Sequence, residues 1–338
     1  MLRAREGDLI RTRDNIVFDV KGLVHPPGKV IAFPRYIPSS AGTRGTKKNL
    51  YGKIYNLAER FEFLKQNAPQ LIVEDPVFGG AMCEVPVESI NKHYEPVRKL
   101  ERLRRRKQLK KLESDAVEFA HELKEAANIP WSSIGISGSV MAGLFTDKSD
   151  FDPLVYGSKN ILKANSVLKK LVADKKTRFR AYNRVDLQIL FEFRSKDTIM
   201  TFEEFEMVES RKAFQGKFSG VDYFVRFVKD WDEVKEEYGD FLYQNCGYAK
   251  IKATIIDDSE AIFTPCSYLV ENVEVLLGPQ LVPISRIVSF RGRFCEQAQV
   301  GEIVVAQGKL ERVIENKSKQ EYFRLLLGNT PSDYMAIA

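Results

Sequence analysis

The spacing of apolar and polar positions changes along this chain and divides it into three regions. From Gly7 to about Pro96, segments such as Ile16-Val17-Phe18-Asp19-Val20 and Val30-Ile31-Ala32-Phe33 alternate or run apolar over strand length, which predicts strands. A helix is expected from about Tyr51 to Gln66, where Ile54, Leu57, Phe61 and Leu64 recur at helical spacing. Between them, residues 38–49 have loop composition and carry Arg44, Lys47 and Lys48, a surface loop or a clamp for an anionic substrate. From about Val97 to Phe214, a basic helix running towards Asn128 precedes a short strand at Ile134 and Ile136 and a Gly-Ser turn. An acidic strand, a helix from Asn160 to Lys175 and a strand around Asp186 follow. Beyond about Gly216 the pattern is β-rich, with 248–256, 284–290 and the glycine-bounded 301–313 reading as strands of a small barrel. The expected fold class is therefore α+β, with regions 1–96, 97–215 and 216–338.

The middle region carries the candidate chemistry. Gly138-Ser139 follows a short apolar strand, and Gly138 permits a sharp turn and close approach to a ligand. Ser139 is suited to cap a helix whose free N–H groups would face terminal phosphates. Asp150 and Asp152 are two apart, so on a strand both carboxylates share one face, where they can hold Mg²⁺ together with phosphate oxygens. Asp186 lies between apolar Val185 and Leu187, and the alternation there places it on a neighbouring strand as a third carboxylate. Three such groups repel one another unless a cation joins them. Pro153 cannot donate a ladder hydrogen bond, so an edge or bend is expected directly after Asp152.

A Gly-Ser turn, about ten residues, Asp-x-Asp and a later Asp between apolar residues resembles the DNA polymerase beta-like nucleotidyltransferase superfamily, over roughly 129–193. Within it the chain is similar to stand-alone archaeal proteins. The resemblance implies an enzyme that moves a nucleoside monophosphate from a nucleoside triphosphate to a hydroxyl and releases pyrophosphate. By resemblance, Gly138 and Ser139 hold the triphosphate, Asp150 and Asp152 bind two Mg²⁺ ions, and Asp186 completes the metal set and activates the acceptor. The acceptor would be an RNA or DNA 3′ end, a protein or a small molecule. A nucleotide- or nucleic-acid-binding module with weak turnover on the same fold is the alternative.

Charge adds a partner to this picture. Residues 1–130 carry 24 Lys or Arg against 17 Asp or Glu, whereas 131–338 carry 28 against 29. Much of the excess lies in the basic helix 98–111, either a solvated face or a contact for RNA or DNA phosphates. Arg286, Arg291 and Arg293 with Phe290 and Phe294 form a second candidate nucleic-acid surface, or else core aromatics with solvated arginines. No apolar run approaches the ~20 residues of a membrane span, and the start of the chain lacks a signal-peptide core, so a cytoplasmic protein without a membrane partner is expected. The scattered Cys83, Cys246, Cys266 and Cys295 and the separated His25, His93 and His121 suggest no metal set of their own.

Overall fold

A computed structural model describes all residues except 1, 48, 196–198 and 281–282. Its elements confirm an α+β fold. In the N-terminal region the ten-residue strand Lys29–Pro38 organises an eight-stranded sheet. Along one edge it pairs with Val17–Val20. Along the other it pairs first with Gly80–Pro86 and then with Asn49–Lys53. Val17 faces Tyr36 but Phe18 faces Pro34, so Arg35 is an extra residue that bends the sheet. Both faces become apolar as a result. One buries Phe18, Val20, Val30, Ala32 and Leu64. The other buries Leu9, Val17, Tyr36, Tyr51 and Tyr94 against Met141 and Leu144 of the middle region.

Two expected helices need correction. The helix predicted from Tyr51 is strand to Lys53 and helix only over Leu57–Asn67. Pairing with Lys29–Pro38 claims residues 51–53, and Asn56 sets the helix start by accepting from the Glu59 N–H at 2.7 Å. The basic helix is likewise two helices, Pro96–Arg104 and Lys111–Ala127. Its cations are largely engaged: Arg98 pairs with Glu95 at 2.7 Å, Arg106 with Glu113 at 3.0 Å, and Arg104 lies 3.4 Å over the Trp131 ring. Within the loop 38–49, Arg44–Thr46 is a short strand paired with Asn49–Lys53, and Lys48 lies outside the described residues.

In the middle region Pro153–Tyr156 is the central strand of three, antiparallel to Ile134–Ile136 and parallel to Arg226–Val228. Pro153 therefore marks no edge. It is tolerated because it opens the strand, where its missing N–H breaks no ladder. The core sheet draws its third strand from beyond residue 215 because a parallel partner requires a long crossover. Helices Lys111–Ala127 and Ser158–Ala173 cover the sheet through Phe119, Leu123, Ile161 and Leu168, all fully buried. Leu162, next to Ile161 on the second of these helices, is 60% exposed. Phe119, Phe151, Phe179, Phe218 and Tyr223 close the core as one aromatic cluster.

The C-terminal strands form a ring. Phe241–Asp257 pairs with Cys266–Leu277 and, along its other edge, with Ile303–Glu315. Ile284–Ser289 continues from Cys266–Leu277 and pairs in parallel with Glu321–Leu327, which returns to Ile303–Glu315. Closure removes the open edges that a flat sheet would leave. Phe294 is buried in this half, so it is core rather than a stacking platform. The four cysteines are free thiols. Among the described residues no helix is long and apolar enough to cross a membrane.

A buried ion cluster joins the N-terminal sheet to the middle region. The Arg226 guanidinium lies 2.7 Å from Glu6 and 3.9 Å from Asp19, and Lys21 reaches both carboxylates, at 3.2 and 2.9 Å. The Glu6 side chain is fully buried, and one of its oxygens also accepts from the Gly22 N–H at 2.9 Å. Replacing Arg226 with Met should therefore destabilise the protein by about 3 kcal/mol, because it leaves a buried carboxylate short of its cation. The measurement is the urea midpoint. The double replacement Arg226→Met with Glu6→Gln should recover part of the loss, and an unchanged midpoint for the single variant would mean that the cluster holds nothing together.

Candidate active site

The Gly-Ser turn and the Asp-x-Asp segment meet where Ile134–Ile136 and Pro153–Tyr156 run side by side. The Ser137 N–H donates to the Asp152 carbonyl at 2.8 Å, extending the ladder by one bond. Gly138 has φ +59°, and a Cβ built on it would lie 1.8 Å from the Asp152 Oδ2. Backbone conformation and close approach thus both require glycine here. The helix that follows, Gly138–Ala142, has five residues, and its cap position is Ser137 rather than Ser139. Ser137 does not cap through its side chain; its hydroxyl donates to the Gly7 carbonyl at 2.6 Å, tying the N-terminal segment to the turn. Ser139 sits in the first turn, buried, and its hydroxyl has no protein partner.

Asp150 and Asp152 lead into the central strand on either side of Phe151. Asp150 is exposed and Asp152 half-buried. Burial, and then the charge of Asp150, push the Asp152 carboxyl up to about 6, against the pull of Lys53, Arg226 and Arg35. Those cations come from outside the expected motif. Lys53 stands opposite Tyr36 in the N-terminal sheet, whose apolar face packs on Met141 and Leu144. Its ammonium is lowered to about 8 by burial and by Arg35, with Asp150 and Asp152 opposing the shift. Arg44, from the basic loop, donates to the Leu144 carbonyl at 2.9 Å and the Ser149 hydroxyl at 3.3 Å, bracing the segment between the turn and the carboxylates.

Asp186 does not follow the expectation. It lies in the first turn of the helix Arg184–Arg194, not on a strand, in a reciprocal cap with Asn183. The Asp186 N–H donates to the Asn183 Oδ1 at 2.9 Å and the Asn183 N–H to the Asp186 Oδ2 at 3.1 Å. Asp186 also pairs with Lys217 at 3.4 Å. The strand beside Asp-x-Asp is Val221–Phe224, where Phe151 bridges Tyr223 and donates to the Asp222 carbonyl at 3.2 Å. Asp222 is therefore the carboxylate on the neighbouring strand, and Lys217 neutralises it at 2.8 Å. Among the described residues no group of three or more His, Cys, Asp or Glu side chains is placed to hold a metal. Gly138, Ser139, Asp150 and Asp152 come together, whereas Asp186 caps a helix and forms no metal-holding group with them.

No protein-family model matches the sequence, and no solved structure matches it. Over 339 aligned residues, covering 97% of this chain and 96% of the other, it is 30% identical to the uncharacterized protein MJ1086 of Methanocaldococcus jannaschii. The chain belongs to that protein's family. End-to-end coverage means that the MJ1086 family spans all three regions, including the N-terminal sheet that brings Lys53, Arg35 and Arg44 to the carboxylates. Membership assigns no reaction, so the chemistry rests on the side chains.

The Asp152 shift has a signed consequence. An aspartate whose pKa rises from 3.8 unfolded to about 6 folded contributes stability below pH 3.8, and that contribution is lost as pH rises through about 6. Above pH 7 the ionised pair is a penalty of at most about 3 kcal/mol. Asp152→Asn should therefore raise the melting temperature at pH 7.5 and give no gain near pH 3.5. Equal gains at both pH values would remove the cost of ionising the buried Asp152 as the cause.

Proposed function

We propose that the protein is a Mg²⁺-dependent nucleotidyltransferase. The observation that supports this reading most directly is the contact between Gly138 and Asp152. A turn without a side chain is pressed against the inner carboxylate of an Asp-x-Asp pair, so a triphosphate lying on the turn would reach the same metal as the pair. Mg²⁺ is commonly held by one or two carboxylates plus substrate phosphates, and Asp150 and Asp152 suit that role. The bound ion would supply charge neutralisation and a lowered pKa for the attacking hydroxyl.

The chain's own residues then have distinct tasks. Asp152 must be ionised to hold the cation, which sets a lower pH limit near its raised pKa of about 6. The unpartnered Ser139 hydroxyl can donate to a phosphate oxygen. Arg35 and Lys53, whose charges reach Asp152, would add positive potential to the site. A bond forms between the acceptor oxygen and the α-phosphorus as the bond to pyrophosphate breaks. With Asp186 engaged in a helix cap, acceptor activation would fall to the Asp150 and Asp152 pair. This last point also favours a second reading, a nucleotide-binding module with weak turnover, because a third carboxylate does not join the pair among the described residues.

Incubation with Mg²⁺, each α-labelled nucleoside triphosphate and a mixture of RNA, DNA and protein acceptors separates the two. Transfer of label by the wild type, reduced at least about 100-fold in Asp150→Asn and Asp152→Asn and falling below about pH 6, is the expected result. Metal-dependent nucleotide binding without transfer would support the module. Transfer at a normal rate by either Asn variant would overturn the two-carboxylate chemistry.

A further inference from the structure

The helix Arg184–Arg194 has an apolar face without cover. Leu187 is its only buried residue, whereas Val185 is 68%, Ile189 62% and Phe193 54% exposed. Spaced four apart, these three side chains stack along one face over ~12 Å of helix. The stripe does not end at the helix. The Phe193 ring meets the Tyr55 ring edge-to-face, centroids 5.7 Å apart, and Tyr55 is itself 44% exposed. Over the Tyr55 ring stand the Lys53 ammonium at 4.9 Å and the Arg35 guanidinium at 5.4 Å. These are the cations whose charge reaches Asp152. One surface thus runs from the carboxylate pair, across two cations and two exposed aromatic rings, onto an aliphatic strip.

We propose that this surface seats a single-stranded nucleic acid, the acceptor whose terminal hydroxyl is presented to Asp150 and Asp152. Its bases lie on Tyr55, Phe193, Ile189 and Val185 and its phosphates against Lys53 and Arg35. Strand binding commonly pairs stacking rings with backbone-tracking cations, a combination that a purely apolar protein contact does not require. Burial and the Arg35 charge already lower the proton affinity of Lys53, so an anion between the two cations would be favoured. The strip is also longer than one base, which points to several nucleotides rather than the base of a single nucleoside triphosphate. The inference rests on the nucleotidyltransferase reading for the choice of acceptor, but its test does not depend on turnover.

Fluorescence anisotropy with labelled single-stranded RNA and DNA of about 12 nucleotides, alongside labelled ATP, tests it. Tyr55→Ala and Phe193→Ala should each weaken strand binding about tenfold. Phe193→Trp should retain it, Lys53→Gln should reduce its salt slope by about one, and Leu162→Ala, an exposed apolar residue elsewhere, should change nothing. Melting temperatures check that the variants are folded. Absence of strand binding by the wild type, or an affinity indifferent to Tyr55 and Phe193, would overturn the proposal. So would ATP binding as tightly as the strand with the same losses, which assigns the surface to one base. A dimer dissociated by Phe193→Ala with unchanged strand affinity would assign it to a second copy. Strand binding lost with the aromatics but no Asp150-dependent transfer sinks the transferase reading alone. Asp150-dependent transfer with strand affinity indifferent to the aromatics sinks this inference alone.

Discussion

Arg226 is the residue on which the arrangement of the molecule depends. It begins the strand parallel to Pro153–Tyr156, and its guanidinium reaches into the N-terminal sheet to meet Glu6 and Asp19. Burial alone would raise the Asp19 carboxyl, yet Lys21, Arg226, Arg60 and Arg35 together hold it well below the usual carboxylate range. Nearby carboxylates hold Arg226 firmly protonated against the burial that opposes its charge. A cluster of this kind adds little net stability but penalises any other docking of the two regions, since a shift would leave a buried charge unpaired. Lys53 and Arg35 are brought near Asp150 and Asp152 by this docking.

The same cluster explains the electrostatic balance at the site. Burial, and then the charge of Asp150 two residues away, disfavour the ionised form of Asp152. Arg226, Lys53 and Arg35 moderate this effect from three different segments. Gly138 brings the turn against Asp152, and the backbone bond from Ser137 to Asp152 keeps the two segments in register. On the proposed reading, these features would let a divalent cation and a phosphate share one location beside Asp150 and Asp152.

The error over Asp186 and the uncovered helix face have one origin. Val185, Leu187, Ile189, Phe191 and Phe193 alternate as in a half-buried strand. Asn183 and Asp186 nevertheless form a reciprocal cap that starts a helix. In a helix, alternating residues cannot all face one core. Leu187 turns inward and Phe191 packs on Phe202 and Phe205, while Val185, Ile189 and Phe193 are left outside. Local capping overrode the hydrophobic period, and the surplus apolar residues became surface.

By itself the sequence determined the Gly-Ser turn, the Asp-x-Asp pair, the helix that follows them and three strands of the C-terminal ring. Each of these depends on local chemistry or on regular spacing along a short segment. Only the tertiary structure decided that the strand beside Asp-x-Asp comes from residues 221–228, that most cations of 98–111 are engaged by nearby carboxylates or the Trp131 ring, and that Lys53 and Arg35 face the carboxylates. Such partners are set by crossover connections and by one buried ion cluster between residues more than 200 positions apart. No local period encodes pairing over that separation.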